Sequence, residues 1–132
     1  MTGPHANLLP FRVTLADQSR PLPAHALARV HFGPAASAAA DPRDVLIPLQ
    51  TLAPPHSQMA EVWLSDLPVA TGSEGALRYA ENGEVVMGSL ALPDHGAAET
   101  LETLGYEIYC RIEDFCAARG YRHLLRAWNF LS

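Results

Sequence analysis

Near the start of the chain Phe11, Val13 and Leu15 alternate with Arg12 and Thr14. A period of two sends successive side chains to opposite faces, so this stretch reads as a half-buried strand. Leu27 to Phe32 (LARVHF) is a second strand candidate. Gly33 to Pro42 is Ala-rich with Gly and Pro at its edges and reads as a loop, with a short helix as the alternative. Val45 to Leu49 is a short apolar run containing Pro48; the missing N–H confines such a strand to a sheet edge. Thr51 to Met59 is a Pro-rich loop, and Glu61 to Leu67 (EVWLSDL) is a stronger strand.

Ala76 to Ala80 and Glu84 to Leu92 form two further strands around Glu81, Asn82 and Gly83. Asn-Gly between alternating segments is the strongest short-range hairpin signal, because a tight type I′ turn needs positive φ at both central residues. Pro93-Asp94 opens a helix with Asp94 as N-cap. Leu101, Leu104, Ile108, Ile112 and Phe115 are spaced by three or four, which gives one continuous apolar stripe. Glu99, Glu102, Glu113 and Asp114 lie off that stripe, and Glu107 and Arg111 form an i,i+4 pair in the favourable order. The helix is expected from about Ala97 to Arg119, with Gly120 as its C′ residue. A final strand, Arg122 to Leu131, is expected to rejoin the sheet. The fold class is α/β (α+β): a mixed, mostly antiparallel sheet with one long helix packed on it. Residues 1–132 read as one domain.

Composition narrows the chemistry. The chain has 132 residues and is 48% hydrophobic, though much of that is Ala. It contains nine Arg and no Lys, which excludes Schiff-base chemistry and a phosphate-loop Lys within these residues. The net charge is −5 and the Arg are scattered, whereas a nucleic-acid partner requires a basic stripe. Nothing resembles a signal peptide, and no run approaches the roughly 20 apolar residues of a membrane span. Cys110 and Cys116 sit six positions apart on the predicted helix, roughly 9 Å along its axis. That exceeds the reach of a disulfide. Two reduced thiols suit a cytoplasmic location.

The six His (His5, His25, His31, His56, His95 and His123) have no metal-ligand spacing and read as structural or surface residues. Gly88-Ser89 lacks the second glycine of a nucleophile elbow. Gly72-Ser73-Glu74-Gly75 reads as a loop, and Tyr106 and Tyr109 as covers of the helix flanks. Arg126, Trp128 and Asn129 admit two readings. In one, Trp128 fills the core while Arg126 and Asn129 satisfy backbone groups. In the other, the strand end forms the lip of a pocket in which the Arg126 guanidinium binds a carboxylate. Residue chemistry favours the first. The catalytic residues are not assignable.

Val62-Trp63, Gly75 to Tyr79, the hairpin to Gly88, the helix with Tyr106 and the run His123-Leu124-Leu125-Arg126-Ala127-Trp128-Asn129-Phe130 resemble the N-terminal region of the chorismatase family, also named pteridine-dependent dioxygenase-like. In that family a tyrosine-bearing helix and a glycine precede an L-x-R-x-W-N-[YF] strand. The resemblance spans Glu61 to Ser132. It implies a RidA/YjgF-like fold and a parent enzyme that cleaves chorismate to a dihydroxycyclohexadiene carboxylate or 3-hydroxybenzoate plus pyruvate, without metal or organic cofactor. It also places the catalytic carboxylate in a second, catalytic domain of the same parent chain. Arg126, Trp128 and Asn129 carry over as substrate-binding candidates at a pocket edge.

The expectation is then an N-terminal domain of a longer protein, structural rather than catalytic, whose isolated form self-associates. Two alternatives stand beside it. One is a stand-alone RidA-like enamine/imine deaminase, for which Arg29 after Ala28 is the matching residue, although the L-P and E-I-E continuation is lacking. The other is a non-catalytic interaction domain.

Overall fold

Val, Ile, Trp and Thr favour extended backbone, and the chain's short runs of them are punctuated by Gly, Pro and Asn. The result, in a computed structural model that describes residues 10–32, 41–47, 59–93 and 101–129, is seven strands and one helix among those residues. β1 (Arg12–Asp17), β2 (Ala26–Phe32), β3 (Asp44–Ile47) and β4 (Met59–Leu64) form a four-stranded sheet in the order β1-β4-β2-β3. β4 is antiparallel to both β1 and β2, and β2 is parallel to β3. β3 lies at the sheet edge and ends at Ile47; Pro48 and Leu49, part of the expected strand, lie outside the described residues. β2 is central and carries the apolar core residues Ala26, Leu27, Ala28 and Val30. Its pairing jumps from Ala26↔Leu64 to Ala28↔Trp63, so Leu27 is the extra residue of a β-bulge and is 2% exposed.

β1 forms where alternation predicts it, but it is not half-buried. Val13 is 46% and Leu15 67% exposed. β1 is an outer strand and the helix packs on the other sheet, so Val13 and Leu15 stay open, although Phe11 and Trp128 pack on Trp63 of the same face.

β5 (Ala70–Glu74), β6 (Leu77–Glu81) and β7 (Val86–Leu90) form a three-stranded antiparallel meander. The segment read as a glycine loop is therefore a strand. The β5–β6 hairpin has a two-residue loop, Gly75-Ala76, with positive φ only at Gly75 (58°), the pattern of a type II′ turn. The β6–β7 hairpin is where Asn82-Gly83 predicts it, and Gly83 has φ of 90°. Its loop is longer than a type I′ turn, because Glu81 pairs with Val86 and no non-glycine residue described has positive φ. Asn82 explains the difference. Its Oδ1 accepts the N–H groups of Glu84 and Val85, both at 2.9 Å, and its Nδ2 donates to Ser65 Oγ (2.8 Å) and to the Pro10 carbonyl (3.0 Å). A side chain so engaged replaces the turn backbone and ties the hairpin to the end of β4. β6 and β7 lie against β2, and Arg78 donates to the carbonyl of Asp41.

The helix α1 spans Leu101–Ala118; the Asp94 cap and the expected first turn lie outside the described residues. Leu104 and Phe115 on the predicted stripe are buried, Ile108 and Ile112 are half-buried, and Leu101 is 58% exposed. Phe115 meets Leu77 and Tyr79 of β6, flanked by Val86, Leu90 and Cys116. Glu102 and Glu113 are exposed, and Arg111 reaches Glu107 at 2.7 Å. Both cysteines are free thiols. No described helix is long and apolar enough to cross a membrane.

α1 ends as its sequence predicts. Gly120 has φ of 82°. Its N–H bonds to the Ala117 carbonyl (3.2 Å) and that of Tyr121 to the Cys116 carbonyl (2.9 Å), the paired bonds of a Schellman motif. The strand expected from Arg122 is absent over the described residues 122–129. Residues 121–129 have no regular structure, and Arg122 through Asn129 are exposed. Alternation assigns side chains to faces, but a strand also needs a hydrogen-bonded neighbour, and none of the described strands supplies one here.

Candidate functional site

Two polar clusters and one aromatic cluster concentrate the chemistry. The aromatic cluster gathers Arg126 and Trp128 of the sequence motif. β4 places Trp63 on the same face as Glu61, and the indole Nε1 donates to Glu61 Oε1 at 2.8 Å. Phe11 packs on Trp63 with ring centroids 5.0 Å apart, and Trp128 meets Trp63 edge-on at 5.8 Å, the arrangement that ring quadrupoles favour. Arg126 stacks over Trp128 with its guanidinium carbon 4.9 Å from the ring. Asn129 Nδ2 donates to the Tyr109 hydroxyl at 2.7 Å. Arg126 and Trp128 thus come together at Trp63 while Asn129 attaches to α1, and Tyr109 takes a specific partner rather than only covering the helix. Tyr106 is 74% exposed and turns its hydroxyl toward Cys110 one turn on.

The arrangement is that of packing. Trp128 remains 45% exposed, and the Arg126 guanidinium lies over a ring rather than opposite a second cation or an acid. An open cleft of about 300 Å³ lies elsewhere, between α1 and the three-stranded sheet, lined by Glu74, Leu77, Leu90, Arg111, Asp114 and Phe115. Its floor is apolar, and its rim carries two carboxylates beside an Arg already paired with Glu107.

The second cluster, a polar one, sits on the four-stranded sheet. Asp44 on β3 accepts from Arg29 Nε (2.7 Å), Arg29 Nη2 (3.2 Å) and His31 Nε2 (2.9 Å). Arg29 also donates to the carbonyls of Arg20 (2.8 Å) and Gln18 (3.5 Å). Burial pushes the Asp44 carboxyl up, but the hydrogen bonds from Arg29 and His31 outweigh it, and its pKa lies below the ordinary value. Next to it Arg43 grips both oxygens of Asp41 (3.0 and 2.7 Å) and donates to the Pro23 carbonyl at 2.9 Å. The hydrogen bond from Arg43 takes the Asp41 carboxyl down to about 2.

Both carboxyls hold their protons less tightly in the fold than when unfolded. The stability they add is complete above the ordinary value of 3.8 and is lost as pH falls through their folded values. Asp41 is a third exposed, so solvent screening leaves its share on the order of 1 kcal/mol. We expect the urea midpoint to fall between about pH 4 and 2, and the fall to shrink in Asp41→Asn. A midpoint that is flat over that interval would show that these pairs do not stabilise the fold.

The third cluster closes the C-terminal end of α1. The Arg119 guanidinium lies 4.4 Å from the Tyr79 ring and 4.9 Å from that of Phe115. It donates to the Tyr79 hydroxyl (2.6 Å) and to Glu81 Oε1 (2.8 Å), while the Tyr121 hydroxyl donates to Glu81 Oε2 (3.0 Å). Burial, then the Glu81 carboxylate, holds the Tyr121 hydroxyl above its usual pKa, so it stays a donor. Burial likewise pushes the Cys116 thiol up. Sequence reading missed this cluster because its members are separated by about forty positions; only Gly120 marks it.

Among the described residues no group of His, Cys, Asp and Glu could hold a metal ion. His25 Nδ1 faces the Leu67 carbonyl at 3.3 Å and His31 serves Asp44. His123 is exposed, and His5, His56 and His95 lie outside the described residues.

No curated protein matches the chain. The family described as "Chorismatase FkbO/Hyg5-like, N-terminal" matches residues 61–132, a stretch running from Glu61 and Trp63 through the meander and α1 to the Arg126-Trp128-Asn129 motif. With more than half of its length so matched, this chain belongs to the N-terminal domains of the FkbO/Hyg5-like chorismatase family.

Proposed function

We propose that this chain is the supporting N-terminal domain of an enzyme that converts chorismate to a hydroxybenzoate or dihydroxycyclohexadiene carboxylate plus pyruvate, and that the domain alone is not catalytic. The observation that carries this is the role of the motif residues: Arg126 stacks on Trp128, Trp128 on Trp63, and Asn129 bonds Tyr109. These contacts fix a chain segment against the domain. Conversion of a dicarboxylate needs a positioned acid together with cationic groups, whereas the open cleft carries Glu74 and Asp114 at its rim.

Exposed apolar residues at the β1 edge of the four-stranded sheet favour a further partner domain. Val13 and Leu15 pair opposite Trp63 and Glu61, which places them on the side that also carries Met59 (45% exposed). An exposed apolar surface of this kind is a surface for association, whether with the parent's second domain or with another copy. The deaminase alternative is less well supported, because the Arg29 guanidinium is already taken by Asp44 and by two carbonyls.

The test is pyruvate release from chorismate by the 132-residue chain and by the full product of its gene. Turnover by the latter alone is expected. Turnover by the 132-residue chain, abolished by Arg126→Ala, would place a complete site within these residues.

A further inference from the structure

Arg119 and Tyr121 flank Gly120, the residue at which the chain leaves α1. They hold the two oxygens of a single carboxylate: Arg119 takes Oε1 of Glu81 and Tyr121 takes Oε2. Both prongs therefore close on the last residue of β6, and the turn between them can point only one way. The alternatives at this corner are restricted further. Arg119 is also bonded to the Tyr79 hydroxyl and lies against two aromatic rings, so its guanidinium cannot follow the chain if the chain swings out.

Beyond the corner, Arg122 to Ala127 are exposed, and the segment is next fixed at Trp128 on Trp63 and at Asn129 on Tyr109. An unstructured stretch of six residues crosses from one attachment to the other. Its entropy of closure depends on where and in which direction it starts. We propose that Glu81 is a positioning residue: by clasping Arg119 and Tyr121 it sets the exit direction of the chain from α1 and thereby delivers Trp128 to Trp63 and Asn129 to Tyr109. This goes beyond the reading of the domain as part of a chorismatase and holds whether or not that reading does.

A pair of indoles in edge contact gives a coupled circular-dichroism band that neither indole gives alone, and Trp128→Phe identifies that band in the 132-residue chain. Glu81→Ala and Tyr121→Phe should each lose most of its amplitude and expose the amides of 122–129 to faster exchange. The amides of β6 and the body of α1 should remain protected, since the Schellman bonds at Gly120 and the Phe115 packing do not involve Glu81. Glu81→Gln keeps an acceptor for Arg119 and should retain more of the band than Glu81→Ala. If Glu81→Ala does not fold, Tyr121→Phe, which removes one surface-proximal hydroxyl, decides by itself. An undiminished band in Tyr121→Phe overturns the proposal, as does a loss of the band that appears only together with loss of protection in β6.

Discussion

Phe115→Ala is expected to lower unfolding free energy by about 3–5 kcal/mol, the range for truncating a buried aromatic. Phe115 is 7% exposed and is one of two buried side chains in α1. Its ring lies 4.8 Å from that of Tyr79, packs with Leu77, and supports the Arg119 guanidinium. Truncation therefore opens a cavity between the helix and its sheet and also loosens the base of the corner at Gly120. Urea unfolding measures the loss, and Tyr106→Ala, at a ring 74% exposed, should change it by no more than about 0.5 kcal/mol. Similar losses at both positions would mean that the helix presents a different face.

Gly72→Ala should cost about 2–3 kcal/mol even though one methyl group is added to a sheet position, because the site is already filled. A Cβ on Gly72 would lie 2.5 Å from the Tyr79 hydroxyl oxygen and 2.7 Å from the ring carbon that bears it. Tyr79 cannot turn aside cheaply, being held by Arg119 and packed on Phe115. In a Tyr79→Leu background the offending atoms are gone, and the same Gly72→Ala change should cost close to nothing. A double-mutant cycle reads the difference as a coupling energy. Equal costs in the two backgrounds would show that Gly72 is required by its own backbone rather than by the ring above it.

How much of this could be read from residues alone follows from the range of the interactions. α1, its stripe and its stop at Gly120 were legible because every signal lies within one or two turns of the residue it concerns. The β6–β7 hairpin was legible from Asn82-Gly83, but its loop length was not. The bonds from Asn82 to Ser65 and Pro10 that favour the longer loop come from distant parts of the chain. β5 was missed because Ala70–Glu74 has no large apolar residue; its pairing with β6 is set by a glycine that admits the Tyr79 ring. The strand expected at Arg122 to Leu131 does not form over the described residues 122–129, since an apolar run is not enough without a neighbour to pair with. Of the motif, Arg126, Trp128 and Asn129 stood out in the sequence as a group, and the fold sends them to two attachments, Arg126 and Trp128 to Trp63 and Asn129 to Tyr109. Their partners Trp63 and Tyr109 needed the fold, and so did Glu81, whose only local mark is its place before Asn82.

Tyr79 has a glycine opposite it on both neighbouring strands, Gly72 on β5 and Gly88 on β7. At Gly88 too there is no room, since a Cβ would meet the Arg78 carbonyl oxygen at 2.9 Å. Displacing β5 by one or two residues would bring Ala70, Thr71, Ser73 or Glu74 across from the ring. Displacing β7 would bring Val86, Met87, Ser89 or Leu90 opposite Tyr79, beside the Arg78 carbonyl oxygen. Each of these carries a Cβ where the aligned sheet has none. The meander therefore proofreads its own alignment: a slipped hairpin, which would otherwise cost little, runs a side chain into the Tyr79 ring on the β5 side or into the Arg78 carbonyl on the β7 side.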